Sequence, residues 1–586
     1  MSETTIPPVG RARRQERSPY ARALNIGVIF GVVAVYITVV GILPLINARW
    51  IVVGVVSLGH AALIAIALGA GAAVAARRKS SEFWPLALPS LLAGGVAGGF
   101  LALLTLAMQV LNLRPIFIAL SPAVEKALTF GLGVPAGPLA LALAAAMLAA
   151  LGAALALAPA GVRKPVFVGL ALVTIFGVFQ ELIQIMMQFG PLIGALREAI
   201  YTWEGLSPAG AVTIFLLGAG GASLWTSALT PIHDRLARSV LVKQGYAGAA
   251  RGVLFVLLLV LFPIVAGSYI GQVMLLVGLY ILMGMGLNLE VGLAGLLDLG
   301  FVAFFAVGAY ATALLTADSP HALAAHTALP SLSYWVAMPI AVGCSIIVGV
   351  LFGIPVLGVR GDYLAVATMG LGEIVRVVVQ SDMAAPLLGG AQGILQIPKP
   401  RIGGLELADP VDLFYLTLVA SAVAAYFAWR LENSRLGRAW MAIRDDEDVA
   451  QALGINLVKV KLLAYGLGAA FAGLAGSIFA VMLTSIYPSS FQLLISINVL
   501  ALIIVGGMGS LPGVIVGAVA LVGLPELLRE FGEFRFLFYG AALIIMMRIK
   551  PEGLWPSATR RREIRARLED AAADDPRAVA TQAAER

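Results

Sequence analysis

Charge, cysteine and histidine are all scarce in this chain of 586 residues. Only 12% of its side chains are charged and 60% of its residues are apolar, where soluble domains carry roughly 25% charged residues, so an ordinary soluble core is excluded. The one cysteine, Cys344, lies in an apolar run and rules out an internal disulfide. Four histidines, His60, His233, His321 and His326, are scattered without metal-ligand spacing, and no metal site is expected. No Gly-Lys dipeptide occurs anywhere, which excludes the Gly-x-x-x-x-Gly-Lys-Ser/Thr loop that cradles nucleotide phosphates. Nor does any serine, cysteine or histidine constellation suggest an enzyme. The net charge of +7 does not argue for nucleic acid, because the basic residues cluster beside hydrophobic runs.

What the chain has in abundance is hydrophobic length. Apolar runs of 18 or more residues recur from Leu24 to Met547, each long enough to cross a bilayer core of about 30 Å as a helix. Helices must then satisfy their own backbone groups, so the expected fold is an all-α polytopic integral membrane protein. Runs near 24–46, 51–75, 84–111, 134–158, 165–189 and 209–230 predict about six N-terminal spans. The first follows Arg11, Arg13, Arg14 and Arg17, is too long for a cleaved signal and lacks a small-residue cleavage site, so it reads as a retained signal anchor. Arg77, Arg78 and Lys79, then Arg163 and Lys164, then His233 to Lys243 fall after every second run. This pattern places them and the N-terminus in the cytoplasm.

A change of texture near residue 245 suggests three regions: 1–245, 246–556 and a charged tail at 557–586. The middle region should hold roughly 8–10 helices with broken or re-entrant segments, near 252–268, 273–290, 300–316, 334–357, 363–380, 411–429, 462–484 and 534–547, plus a pair flanking Gly506 to Gly513. The tail, with Arg560, Arg561, Arg562, Arg565 and Arg567, reads as disordered and cytoplasmic.

Within that region, Gly292, Gly295 and Gly300 predict a broken helix. Such a break is tolerated at membrane depth only inside protein or beside a watery cavity. Asp298 then either caps the helix that starts at Phe301 or contributes to a translocation path. Glu373 and Arg376 are charges in a span, three residues apart on one helical face, where they can neutralise each other and should not face lipid. Gly509, Gly513 and Gly517, with Ala469, Gly473, Ala472 and Gly476, are small-residue ladders for close helix packing. From Arg430 to Asn456, Leu436, Trp440, Ile443, Ala450 and Leu453 make an apolar stripe on an amphipathic helix that Gly454 ends. Its nearly balanced charge favours docking into a partner groove over lying on anionic lipid.

Four stretches, Gly286 to Leu299, Arg360 to Arg376, Gly437 to Asn456 and Gly506 to Gly513, resemble the LivM-type permease subunits of branched-chain amino acid ABC importers. The resemblance covers about 251–555. It implies that residues 435–456 are an ATPase-coupling loop, with Leu436, Trp440, Ile443, Glu447, Ala450, Leu453 and Gly454 as its candidates. Asn288, Asp298, Tyr310, Glu373 and Arg376 become translocation-path candidates, and Gly389, Gly390 and Gly393 outer-loop candidates. It also implies two cytoplasmic ABC ATPase subunits that carry the ATP, a second permease of LivH type, a periplasmic or tethered substrate-binding protein, and a bacterial inner membrane with both termini cytoplasmic. No cofactor is expected on this chain.

The sequence departs from the family where Leu388 replaces a threonine before Gly389 and Gly390, at Glu290, and in its long N-terminal region. The Leu-Leu-Asp-Leu-Gly text at 296–300 is closer to the amino acid branch than to the urea and short-amide branch. An ion-coupled transporter using Glu290, Asp298 and Glu373 is the rival reading.

Overall fold

Several helix starts in this protein are capped by hydroxyl or carboxamide side chains. Ser18 accepts from the amide of Ala21, Ser207 from Gly210, Asn456 from Lys459 and Ser510 from Gly513, and proline follows within two positions in three of the four. Each such side chain satisfies an amide that the first turn cannot pair. The computed structural model describes residues 18–76, 84–187, 191–225, 246–321, 330–356, 358–359, 361–529, 534–550 and 552–557. Arg11 to Arg17, Arg77 to Lys79, His233 to Lys243, His326, Arg360 and the tail from Arg560 lie outside them. Among the described residues eleven helices are long and apolar enough to cross a membrane, and the fold is an all-α polytopic membrane protein.

The chain divides into two compact units, Met1–Arg251 and Gly252–Arg586. The first contains α1 Pro19–Val39, α2 Ile42–Asn47, strands β1 Trp50–Val52 and β2 Val56–Ser57, α3 Leu58–Ala76, α4 Trp84–Val110, α5 Pro122–Leu128, α6 Ala136–Leu157, α7 Ala160–Val178, α8 Gln180–Met186, α9 Pro191–Ile200, β3 Tyr201–Thr202, β4 Gly205–Leu206 and α10 Pro208–Leu224. α4 packs on α6 and α1, α3 on α6, and α7 on α10. Close approach is built from glycine: a Cβ on Gly71 would lie 1.7 Å from the Ala149 carbonyl oxygen.

Two expectations are corrected here. The first run is not one helix to Ile46, because Gly41 at φ +94° turns the chain after α1. The second run does not begin at 51, because residues 50–57 form a hairpin whose β1 pairs in parallel with β4, Val52 opposite Leu206.

α11 Tyr246–Ala266 begins before the boundary and runs into the second unit, which further contains α12 Ser268–Leu287, α13 Val302–Thr316, α14 Tyr334–Val356, α15 Asp362–Gln380, strands β5 Arg401–Ile402 and β6 Leu405–Glu406, α16 Pro410–Glu432, α17 Arg435–Asp445, α18 Glu447–Ala452, α19 Leu457–Leu483, α20 Leu493–Gly506, α21 Leu511–Ala518, α22 Leu524–Leu527 and α23 Phe534–Ile549. α12 and α19 are its spine, each about two-thirds buried. α13 and α14 pack on α19, and α16 on α12.

The small residues of α19 permit this. A Cβ on Gly308 would lie 2.3 Å from the Gly473 oxygen, and one on Gly476 would lie 2.1 Å from the Phe305 oxygen. Gly513 and Gly517 likewise pack onto Gly506 and Leu502, closing α20 and α21 into a helical hairpin. Gly509 is not part of that helical ladder: it sits in the intervening turn at φ +74°.

Candidate functional site

The predicted break forms the centre of the second unit. α12 continues as a π-helical turn, Asn288–Leu293, and the chain then runs without helix until α13. A helix that ends inside protein leaves carbonyls without intrahelical donors, and other elements must supply them. Arg444 in the last turn of α17 donates through Nη1 to the Gly292 carbonyl at 2.7 Å. Its aliphatic stem lies against Gly295, where φ is +73° and a Cβ would lie 2.7 Å from the arginine Cγ. Asn288 Oδ1 accepts from the amide of Gly509 at 2.8 Å, tying the break to the Gly-Gly-Met-Gly turn. Three separate sequence motifs therefore meet at one point. Sequence reasoning missed Arg444, whose only signal is a cation in the final turn of a helix.

Asp298 is fully buried, but it does not cap α13. Its Oδ1 accepts from Gly300 at 2.7 Å, while the first free amide of α13, Val302, is taken by the Ser496 hydroxyl of α20 at 2.9 Å. The cap comes from a residue almost two hundred positions away, which no local pattern encodes. Leu299 donates to the Thr368 hydroxyl at 3.0 Å, fixing the irregular stretch against α15.

Glu373 and Arg376 lie on α15 and pair as expected, Arg376 Nε donating to both carboxylate oxygens at 2.9 and 3.0 Å. Arg376 and Glu373 keep 33% and 48% of their side-chain surface exposed, however, alongside the exposed apolar Val366, Ile374, Val377 and Val378. Tyr310 is buried on α13 with its ring 5.6 Å from that of Phe491, and it lines a small cleft with Arg376, Gly372 and Pro488. The structure thus groups Tyr310 with Arg376 and its partner Glu373, and Asn288 with Arg444.

Gly389, Gly390 and Gly393 all have positive φ and make a tight turn. A Cβ on Gly393 would lie 1.9 Å from the Ile486 oxygen, and Ile394 and Ile486 exchange backbone hydrogen bonds at 3.0 and 2.8 Å. The turn is therefore stapled to the segment after α19. Beyond it Lys399 donates to the Met482 carbonyl at 3.3 Å, and partial burial holds its ammonium below the ordinary lysine range, with Glu406 opposing.

The amphipathic stretch differs from expectation in two ways. It is two helices, broken where Asp446 caps α18 by accepting from Asp448 and Val449. Its apolar stripe also turns inward: Trp440, Ile443 and Ala450 are buried in the unit's own core, with Trp440 Nε1 donating to the Val460 carbonyl at 2.9 Å. Leu436 packs partly against the same core. Glu447 forms an ion pair with the buried Lys461 at 2.6 Å, anchoring α18 to α19. What projects outward is Val449, Leu453, 75% exposed, and Gly454 at φ +87°, with Asp445, Asp446 and Asp448 around them.

A family model described as branched-chain amino acid transport system / permease component matches residues 269–547. The high-affinity branched-chain amino acid transport system permease protein LivM of Salmonella typhimurium is 40% identical over 301 residues, 47% of this chain and 68% of the relative. LivM of Escherichia coli is 38% identical over 327 residues, 52% of this chain and 74% of the relative. LivH of Salmonella typhimurium is 28% identical over 176 residues, 30% and 55% of the two chains. No solved structure matches.

Proposed function

The chain belongs to the branched-chain amino acid transport permease family, and from that premise we propose that its second unit is the membrane permease of an importer for branched-chain or closely related small amino acids. The observation that carries the reading furthest is the exposed ion pair on α15. Charges on a membrane-spanning helix are costly against hydrocarbon, so the face bearing Glu373 and Arg376 must open on water or on another subunit. A path between this chain and a second, LivH-type permease satisfies both conditions, with Tyr310 and Phe491 beside it.

Energy comes from ATP on two partner subunits at the cytoplasmic face, and a binding protein outside delivers the substrate. The exposed tip of α18, with Val449 and Leu453, is the ATPase contact. Movement of that tip reaches the break through Arg444 and the Gly292 carbonyl, since α17 and the π-helical turn share that hydrogen bond. Alternation between outward and inward states then follows from partners that favour one state or the other. The protein sits in the bacterial inner membrane with both termini cytoplasmic, and the first unit is a scaffold or docking body.

Reconstitution of all subunits in proteoliposomes tests this. ATP-dependent uptake of labelled leucine, isoleucine or valine is expected, with Glu373→Gln or Arg376→Gln lowering uptake by tenfold or more (~1.4 kcal/mol in transport barrier). Uptake that persists without the ATPases and collapses with a proton or sodium gradient would overturn it.

A further inference from the structure

Beside the break lies a group of atoms that this transport reading does not use. Glu290 sits in the π-helical turn and Asp298 in the irregular stretch, both with no exposed surface. The backbone brings them together: the Leu296 amide donates to the Glu290 carbonyl at 2.9 Å, folding the stretch that carries Asp298 back onto the turn that carries Glu290. Asp298 Oδ1 has its partner in Gly300, but Asp298 Oδ2 and both oxygens of Glu290 have none.

Two ionised carboxylates are acceptors only, so they cannot bond to each other without a hydrogen between them. Among the described residues no arginine, lysine or histidine forms an ion pair with either acid. Arg444 is engaged with the Gly292 carbonyl and Lys461 with Glu447. The other groups facing the pair are the Tyr465 hydroxyl of α19, which has no partner, Thr368 of α15 and the backbone of Gly468. Two charges here would carry a desolvation penalty that the single Gly300 amide does not repay.

We propose that Glu290 and Asp298 form a proton-binding site, the two carboxyl groups sharing a single proton on the hydrogen bond between them. The proton is taken from water when the break closes and returned to water if the pair separates, with no other bond made or broken. The donor set favours a proton over a metal ion, because among the described residues no third His, Cys, Asp or Glu joins the two acids. A Cβ on Gly468 would lie 1.8 Å from Glu290 Oε1, so the carboxylate is pressed against the α19 backbone on that side. The site couples the break to pH, because loss of the shared proton places two like charges in the core. The inference does not depend on what the permease carries.

The experiment uses the full chain in lipid nanodiscs. Infrared spectra at neutral pH should contain a protonated-carboxyl stretch that shifts in deuterium oxide and disappears in the Glu290→Gln/Asp298→Asn double variant. The pair stabilises below its titration, so the wild-type Tm should fall as pH rises through it. Glu290→Gln, whose amide donates permanently to Asp298, should lose that alkaline fall, and Glu290→Leu should lose it as well if the glutamine variant folds poorly. The proposal is overturned by absence of the stretch in the wild type, by its survival in the double variant, or by an alkaline fall equal in wild type and both single variants. A wild-type Tm that rises with sodium or potassium at constant ionic strength, and does so no longer in Glu290→Gln, would overturn it in favour of a metal-cation site.

Discussion

The two units are made of similar material and use it differently. In the first unit the membrane-length helices are between 11% and 39% buried, and among the described residues the buried polar side chains are hydroxyls, several of which, such as Thr38 and Thr129, bond back into their own helix. In the second unit α12 and α19 are each two-thirds buried, and Asn288, Glu290, Asp298 and Lys461 lie inside. A hydroxyl that bonds its own helix asks nothing of its neighbours. A buried amide or ion needs partners from elsewhere in the chain, and holding them in place is the condition for a site that moves in a defined way. The teaching is that burial of ionisable groups, more than hydrophobicity, separates the two units.

The strongest test of that contrast acts on the second unit. Trp440→Ala removes the largest fully buried side chain along with its bond to Val460, and should cost about 3–5 kcal/mol in a thermal unfolding assay. A loss below ~1 kcal/mol would mean that α17 is held from outside. Gly71→Leu is the matching insult to the first unit, forcing a side chain against the Ala149 carbonyl, with an expected cost of about 1–3 kcal/mol. Uptake per folded molecule should survive it, and loss of uptake would break the division of labour. Asn288→Leu strands the Gly509 amide and should cost about 1–3 kcal/mol, with a fall in coupling of ATP hydrolysis to uptake. Smallest in stability is Leu453→Asp, within about 0.5 kcal/mol because the side chain is exposed, yet ATPase association measured by co-purification should drop.

Much of the helix layout could be read from the sequence, because twenty apolar residues and a capping serine are local statements. So was the break at Gly292 to Gly300, since successive glycines weaken a helix wherever they stand. Three things were hidden, each for a physical reason. β1 and β4 are strands of two or three residues whose partner lies far along the chain, and no periodicity develops over that length. The Trp440 stripe is amphipathic, and amphipathicity says that one face is covered without saying by what. Asp298 has the chemistry of a cap and the right position for one, but Ser496 arrives from α20 and takes the amide first.

The pairing of Val52 with Leu206 also sets an order of events in time. At synthesis rates of about 5–20 residues per second, β1 leaves the ribosome roughly 8–30 s before the strand it will join. During that interval α3, α4, α6 and α7 are themselves synthesised, so the small sheet can close only after all four have left the ribosome.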